Sequence, residues 1–214
     1  MNIALFFYPD FTLLDAIGPA ECLSMLPGAK LYTVAPEQGM IKTDNGMQIY
    51  AEYSIQQIDS ADILLIPGGL HGTKAICNDM AVLEWIGHMD KHTTYMCSVC
   101  TGAWIMAAAG LLKGNKACTH WYGRQLLEQY NVQYNNQRYM HSGKYWTSAG
   151  VSAGIDMAIA LAAHIAGDRA ARAIQLGLEY DPAPPFNAGT PEKADAELVQ
   201  SMKLRFDSHL NKMQ

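Results

Sequence analysis

The chain has 214 residues, 50% of them hydrophobic, enough for one sizeable core and at most a small second unit. With 15 basic and 20 acidic residues it carries a formal charge of -5, which gives no electrostatic footprint for nucleic acid or an anionic membrane surface. No apolar run approaches ~18 residues, so no membrane span is expected.

The start of the chain, Met1 to Asp10, lacks a basic leader region. Within it, Ile3 to Tyr8 reads as a first buried strand rather than a signal peptide. Leu13 to Leu23 follows as a short helix, with Pro19 suited to a first turn, where its missing N–H costs nothing. Lys30 to Ala35 is a second strand. Residues 40–43 and 47–50 flank Asp44-Asn45-Gly46, a hairpin signal. Asp62 to Ile66 is a continuous apolar run entering Pro67-Gly68-Gly69, as expected of a parallel strand covered on both faces. A helix is expected from about Asp79 to Lys91, then a strand over Thr93 to Cys97, then an apolar helix from Ala103 to Leu112. Asn115 to Trp121 reads as a short strand and loop, and Tyr122 to Tyr130 as a helix. Strands are expected at Gln137 to Ser142 and Lys144 to Ser148, and helices from Ile155 and from Asp168 to about Glu179. The prolines at 182, 184 and 185 break the helix there and begin an arm. Pro191 to Lys212 reads as a final helix. Alternating strands and helices imply one domain over 1–214, an α/β three-layer sandwich around a mostly parallel sheet.

The stretch Ser98-Val99-Cys100-Thr101-Gly102 joins a buried strand to a helix. A cysteine there, with glycine two residues on, reads as a nucleophile elbow. The helix N-terminus that follows would favour thiolate over thiol. Five cysteines, an odd number, point to a reduced, cytoplasmic protein. Cys97 and Cys100 have the spacing of a zinc half-site or a redox pair. No second ligand pair accompanies them, and Cys97 belongs to the strand end, facing the core.

Other residues carry two readings each. Asp15, isolated in Leu13-Leu14-Asp15-Ala16-Ile17, is either a helix cap or a carboxyl that exchanges protons with substrate beside the sulfur. Loops at the carboxyl ends of parallel strands converge on one crevice, where Asp15 and Cys100 would meet. Gly68, Gly69 and Leu70 are turn residues, or they bring backbone N–H groups to an atom that gains negative charge. His71 reads as a solvated loop histidine. Thr101 cannot act as a base near neutral pH, but its hydroxyl can hold a water or a substrate atom. His120 and Trp121 line a pocket, supply an acid, or simply pack.

The elbow, with Leu13-Leu14-Asp15-Ala16-Ile17-Gly18-Pro19 and Pro67-Gly68-Gly69, resembles the PfpI/ThiJ cysteine superfamily. Thr119-His120-Trp121, the run from Thr147 to Asp156 and the run from Glu179 to Phe186 resemble its isonitrile (isocyanide) hydratase branch. The resemblance implies a flavodoxin-like homodimer without cofactor or metal, acting on a small molecule. It carries the nucleophile onto Cys100, the acidic partner onto Asp15 and the neighbouring hydroxyl onto Thr101. Thr101 replaces the histidine that follows the nucleophile in the protease-like branch. In the glyoxalase/deglycase branch the acidic partner is a glutamate; Glu21 is the nearest one here, but Asp15 fits the Asp-x-x-Gly-Pro pattern. The implied reaction is isonitrile hydration. The alternatives are glyoxalase or deglycase chemistry on a small aldehyde, and a cysteine-based sensor like the domains of AraC-type regulators. The chain ends at Gln214, which leaves no length for a DNA-binding module after such a domain.

Overall fold

The structure, a computed structural model, describes residues 1–211. In chain order the elements are β1 Asn2–Phe6, α1 Leu13–Ser24, β2 Lys30–Ala35, β3 Gly39–Lys42, β4 Gln48–Ala51, β5 Tyr53–Ser54, β6 Ala61–Ile66, α2 Leu70–Ile76, α3 Met80–Lys91 and β7 Thr93–Ser98. They continue with α4 Gly102–Ala108, β8 Lys116–Ala117, a 3-10 turn Trp121–Gly123, α5 Arg124–Gln129, β9 Gln133–Tyr134, β10 Tyr139–Ser142, β11 Tyr145–Ser148, α6 Ala153–Ala166, α7 Asp168–Gly177 and α8 Ala196–Asn211.

The main sheet has seven strands in the order β10-β11-β7-β6-β1-β2-β5. All neighbours pair in parallel except β10 with β11, which is antiparallel. Helices cover both faces. The central strands β1, β6 and β7 supply Ile3, Leu64, Leu65, Ile66 and Met96, all fully buried, as a sheet covered on both faces requires. Helix α1 packs against α6, α6 against α7, and α3 against α4. Strands β3 and β4 form the expected hairpin, with Gly46 at φ +87° in its turn.

The chain leaves β1 toward β2 on one side and returns to place β6 on the other. This makes a topological switch point, with a crevice at the carboxyl ends of β1, β6 and β7. Asp15 follows β1, Gly68 and Gly69 follow β6, and Cys100 follows β7.

Several expected boundaries move. Helix α1 starts at Leu13, so Pro19 sits mid-helix rather than in the first turn; it removes a helical hydrogen bond to the Asp15 carbonyl, on a helix held by packing against α6. Helix α4 stops at Ala108, short of Leu112, ahead of Gly110 at φ +79°. Helix α2 begins at Leu70, where a loop was expected; glycines on both sides of its start hid it. The final helix begins at Ala196, not Pro191, and Lys212, its expected end, lies outside the described residues.

Candidate active site

Cys100 takes φ +57°, a left-handed conformation costly to a residue with a Cβ. The surroundings hold it there. Its N–H donates to the Ala149 carbonyl at 3.0 Å, and its own carbonyl accepts from Thr119 Oγ1 at 2.8 Å. The sharp strand-to-helix turn read from the sequence is thus present. The Thr101 and Val151 N–H groups point at the sulfur. Val151 itself stands at φ +37°, an outlier for a β-branched residue, and that backbone aims its N–H at the thiol.

Those donors do not make Cys100 a resting thiolate. Burial raises its pKa well above the ordinary cysteine value, the Asp15 carboxylate raises it further, and the two N–H groups only oppose this. Burial and the neighbouring carboxylate thus run against the thiolate expected from the helix N-terminus. Cys97 is fully buried and pushed up by burial alone, so it faces the core as expected. All five cysteines are free.

Asp15 lies in the first turn of α1 but does not cap it; Thr12 is the cap residue. The Asp15 side chain is fully buried. Its Oδ2 accepts from the Gly68 N–H at 2.9 Å, while Oδ1 has no hydrogen bond of ordinary geometry and the carboxyl faces the Cys100 thiol. Burial pushes its pKa up to about 7, against the lowering effect of the Gly68 and Cys100 contacts. A buried carboxyl oxygen without a partner is rare in a folded protein.

Gly68 must be glycine, because a Cβ there would lie 2.6 Å from Thr101 N and 2.8 Å from Asp15 Oδ2. The reading of Gly68 and Gly69 as donors to substrate is not supported, since both N–H groups are spent: Gly68 on Asp15, and Gly69 on Thr101 Oγ1 at 3.0 Å. Leu70 opens α2 and is partly buried. His71 sits at the rim, its Nδ1 3.4 Å from Asp10 Oδ2.

A cavity of about 310 Å³ adjoins the elbow, lined by Thr119, His120, Trp121, Ala149, Gly150 and Val151 among others. His120 accepts from the Tyr122 N–H through Nδ1 at 3.3 Å. Burial lowers its pKa to about 4, so at neutral pH it is an uncharged wall and not an imidazolium acid. Phe206 of α8 packs on His120, Trp121 and Tyr122, with ring centroids 5.5, 5.7 and 5.0 Å away. The elements past residue 180 therefore back this wall.

Sequence reasoning missed Tyr8 and Thr73. Tyr8 reads as one more apolar strand residue and Thr73 lies in the unexpected helix, yet both are buried beneath Thr101.

The sequence model of the DJ-1/PfpI family matches residues 1–164. The chain belongs to the DJ-1/PfpI family. It is 32% identical over 205 residues to an isonitrile hydratase of Pseudomonas putida, covering 96% of this chain and 90% of that protein. It is 25% identical to the HTH-type transcriptional regulator CdhR of Pseudomonas aeruginosa, over 76% of this chain but 50% of the regulator. A solved structure of a ThiJ/PfpI family protein from Pseudomonas syringae superposes with a TM-score of 0.90 at 34% identity, covering 98% of this chain and 90% of the other. The flavodoxin-like α/β fold of this family is the one described above. No helix among the described residues is long and apolar enough to cross a membrane.

Proposed function

We propose that this DJ-1/PfpI protein hydrates an isonitrile, R–N≡C, to the N-substituted formamide, a lyase reaction carried by Cys100, Asp15 and Thr101. The observation that supports this most directly is the Asp15 carboxyl. One oxygen is fixed by Gly68 and the other is left free against the thiol.

Cys100 holds its proton at neutral pH and Asp15 is poised near 7, so the resting pair is a thiol beside a carboxyl able to take or give a proton. An isonitrile carbon needs a proton before it becomes a good electrophile. Asp15 takes the proton of Cys100 and passes one to that carbon as sulfur attacks it. The S–H bond breaks, C–H and C–S bonds form, and the product is the thioimidate R–N=CH–S–Cys100. Water then adds across C=N with Thr101 holding it. The C–S bond breaks, sulfur regains a proton, and R–NH–CHO leaves. The chain's part is to bring thiol, acid and hydroxyl to one crevice and to keep bulk water out.

Glyoxalase, deglycase or protease chemistry would build negative charge on a carbonyl oxygen and call for free backbone donors. The Gly68 and Gly69 N–H groups are already committed, so neither can serve as that donor. The His120 and Trp121 side of the cavity is uncharged and suits a neutral R group, while Arg138, also in its lining, is paired with Asp156. A cytoplasmic homodimer over 1–214 belongs to the same reading.

The test is turnover of alkyl and aryl isonitriles in ¹⁸O-labelled water, without added metal and with chelator present. Formamide carrying one labelled oxygen is expected, with a trapped adduct on the peptide containing Cys100. No formamide from several isonitriles, with lactate formed from methylglyoxal, would refute the reaction while keeping the nucleophile.

A further inference from the structure

Four hydrogen bonds run in line beneath the elbow. Gly69 N–H donates to Thr101 Oγ1 at 3.0 Å, Thr101 Oγ1 meets Thr73 Oγ1 at 2.8 Å, Thr73 Oγ1 meets the Tyr8 hydroxyl at 3.0 Å, and Tyr8 donates to the Pro67 carbonyl at 2.7 Å. All three side chains are buried, so water does not compete for these hydrogens.

The direction of every bond follows from counting hydrogens. A carbonyl can only accept, so the single Tyr8 hydrogen goes to Pro67. The Tyr8 to Thr73 contact then needs the Thr73 hydrogen. The Thr73 to Thr101 contact in turn needs the Thr101 hydrogen. Gly69 fills one Thr101 lone pair and leaves one open. Burial also keeps the Tyr8 phenol protonated, its pKa raised well above the ordinary value, so the chain does not lose its terminal donor.

We infer that Thr73 and Tyr8 are positioning residues that fix the polarity of the Thr101 hydroxyl, leaving Thr101 an acceptor only, with no hydrogen to offer sulfur or substrate. Under the hydration reading, on which this aspect rests, Thr101 holds the attacking water by one of the water's own hydrogens. That leaves the water oxygen lone pairs free to attack carbon. A donating Thr101 would instead occupy one of those lone pairs. The chain also joins the loop after β1, the loop after β6 and helix α2 to the elbow, which keeps Asp15 and Cys100 in register.

The test uses Thr73→Val, which removes the hydroxyl at similar volume, with Thr73→Ser as the conservative rescue and Tyr8→Phe as a variant that retains the ring packing. Thr73→Val and Tyr8→Phe are expected to lower kcat about tenfold, the worth of one misdirected hydrogen bond, with KM little changed and with Thr73→Ser near wild type. In a Thr101→Val background Thr73→Val should add no further loss, because it acts through Thr101. The readout that needs no substrate is the pH profile for alkylation of Cys100 by iodoacetamide. Freeing the Thr101 hydrogen to turn toward the sulfur should move that profile to lower pH in Thr73→Val and not in Thr73→Ser. If wild type fails to hydrate isonitriles but the profile shifts this way, the reaction is wrong and the polarity stands. An unshifted profile, or losses that multiply between Thr73→Val and Thr101→Val, would overturn the polarity whatever the substrate.

Discussion

Asp15→Asn should make the protein more stable at and above neutral pH while disabling the site. Burial raises the Asp15 pKa from 3.8 to about 7. In the unfolded chain the carboxyl loses its proton near pH 4; in the folded protein it holds on until about 7. Across that window the folded state binds the extra proton, so stability falls as pH rises, and the full penalty is present above the folded pKa. A shift of about three pKa units corresponds to ~4 kcal/mol. Asparagine cannot ionise and can keep its carbonyl oxygen on the Gly68 N–H, so the variant escapes this penalty. For a chain of this size the gain corresponds to a melting-temperature difference on the order of 10 °C. His120 acts in the opposite sense. Its pKa is lowered to about 4, so it contributes stability present at neutral pH and lost as pH falls from its unfolded value through the folded one. That contribution is common to both proteins and cancels in their difference. Thermal melts of wild type and Asp15→Asn from pH 4 to 8.5 should give a difference that grows with pH and levels off above about 7. A difference that is flat across the range would mean that Asp15 ionises like a solvated carboxylate, and the proposed proton transfer would lose its basis.

Cys100→Ala should abolish turnover and keep the melting temperature near wild type, whereas Cys97→Ala should leave turnover largely intact; the reverse pattern in an activity assay would move the nucleophile. Asp15→Asn should cost on the order of 10²–10⁴ in kcat/KM, as expected for loss of a general acid–base group. Glu21→Gln, exposed on α1, should stay within about twofold, the cost of an isolated surface change; equal losses in steady-state kinetics would leave Asp15 a purely structural residue. Gly68→Ala should lose activity and about 1–3 kcal/mol of stability in denaturant titration, since its Cβ would crowd Thr101 N and Asp15 Oδ2.

The fold was readable because its signals are long-range and redundant. Apolar runs at Ile3 and Asp62, the hairpin at Asp44-Asn45-Gly46 and the strand-to-helix step at Cys100 each point to a parallel sheet with crossover helices. Two of the misplaced boundaries come from packing overriding local preference: Pro19 is tolerated mid-helix because α1 lies on α6, and Leu70 starts a helix despite the glycines beside it. The candidates Asp15 and Cys100 stand out in the sequence as an isolated carboxyl in an apolar segment and a cysteine at a strand-to-helix step, and Thr101 through its place after that cysteine. Tyr8, Thr73 and the Val151 N–H could not. Their contribution is a direction in space, set by elements far apart in the chain, and nothing in the residue types at those positions marks it.

The protonation state of Cys100 shows how magnitude decides between two sound arguments. An N–H-rich helix start favours negative charge by roughly 0.3–1 kcal/mol, rising to about 2 in partly buried settings. Removing a charge from water costs several kcal/mol even after the protein relaxes. Cys100 is 7% exposed and Asp15 is fully buried beside it, so burial and the neighbouring carboxyl outweigh both N–H donors and the sulfur keeps its proton. Under the proposed hydration, the resting site therefore stores the proton that must be moved. A solvated aspartate would be too weak a base to collect it from sulfur and too strong an acid to hold it for carbon. The burial that makes thiolate costly also raises Asp15 to about 7, near the value at which one group serves well as both acceptor and donor. Exposing the site would thus lower the thiol pKa and still slow the proposed hydration, because the acid would be lost along with the obstacle.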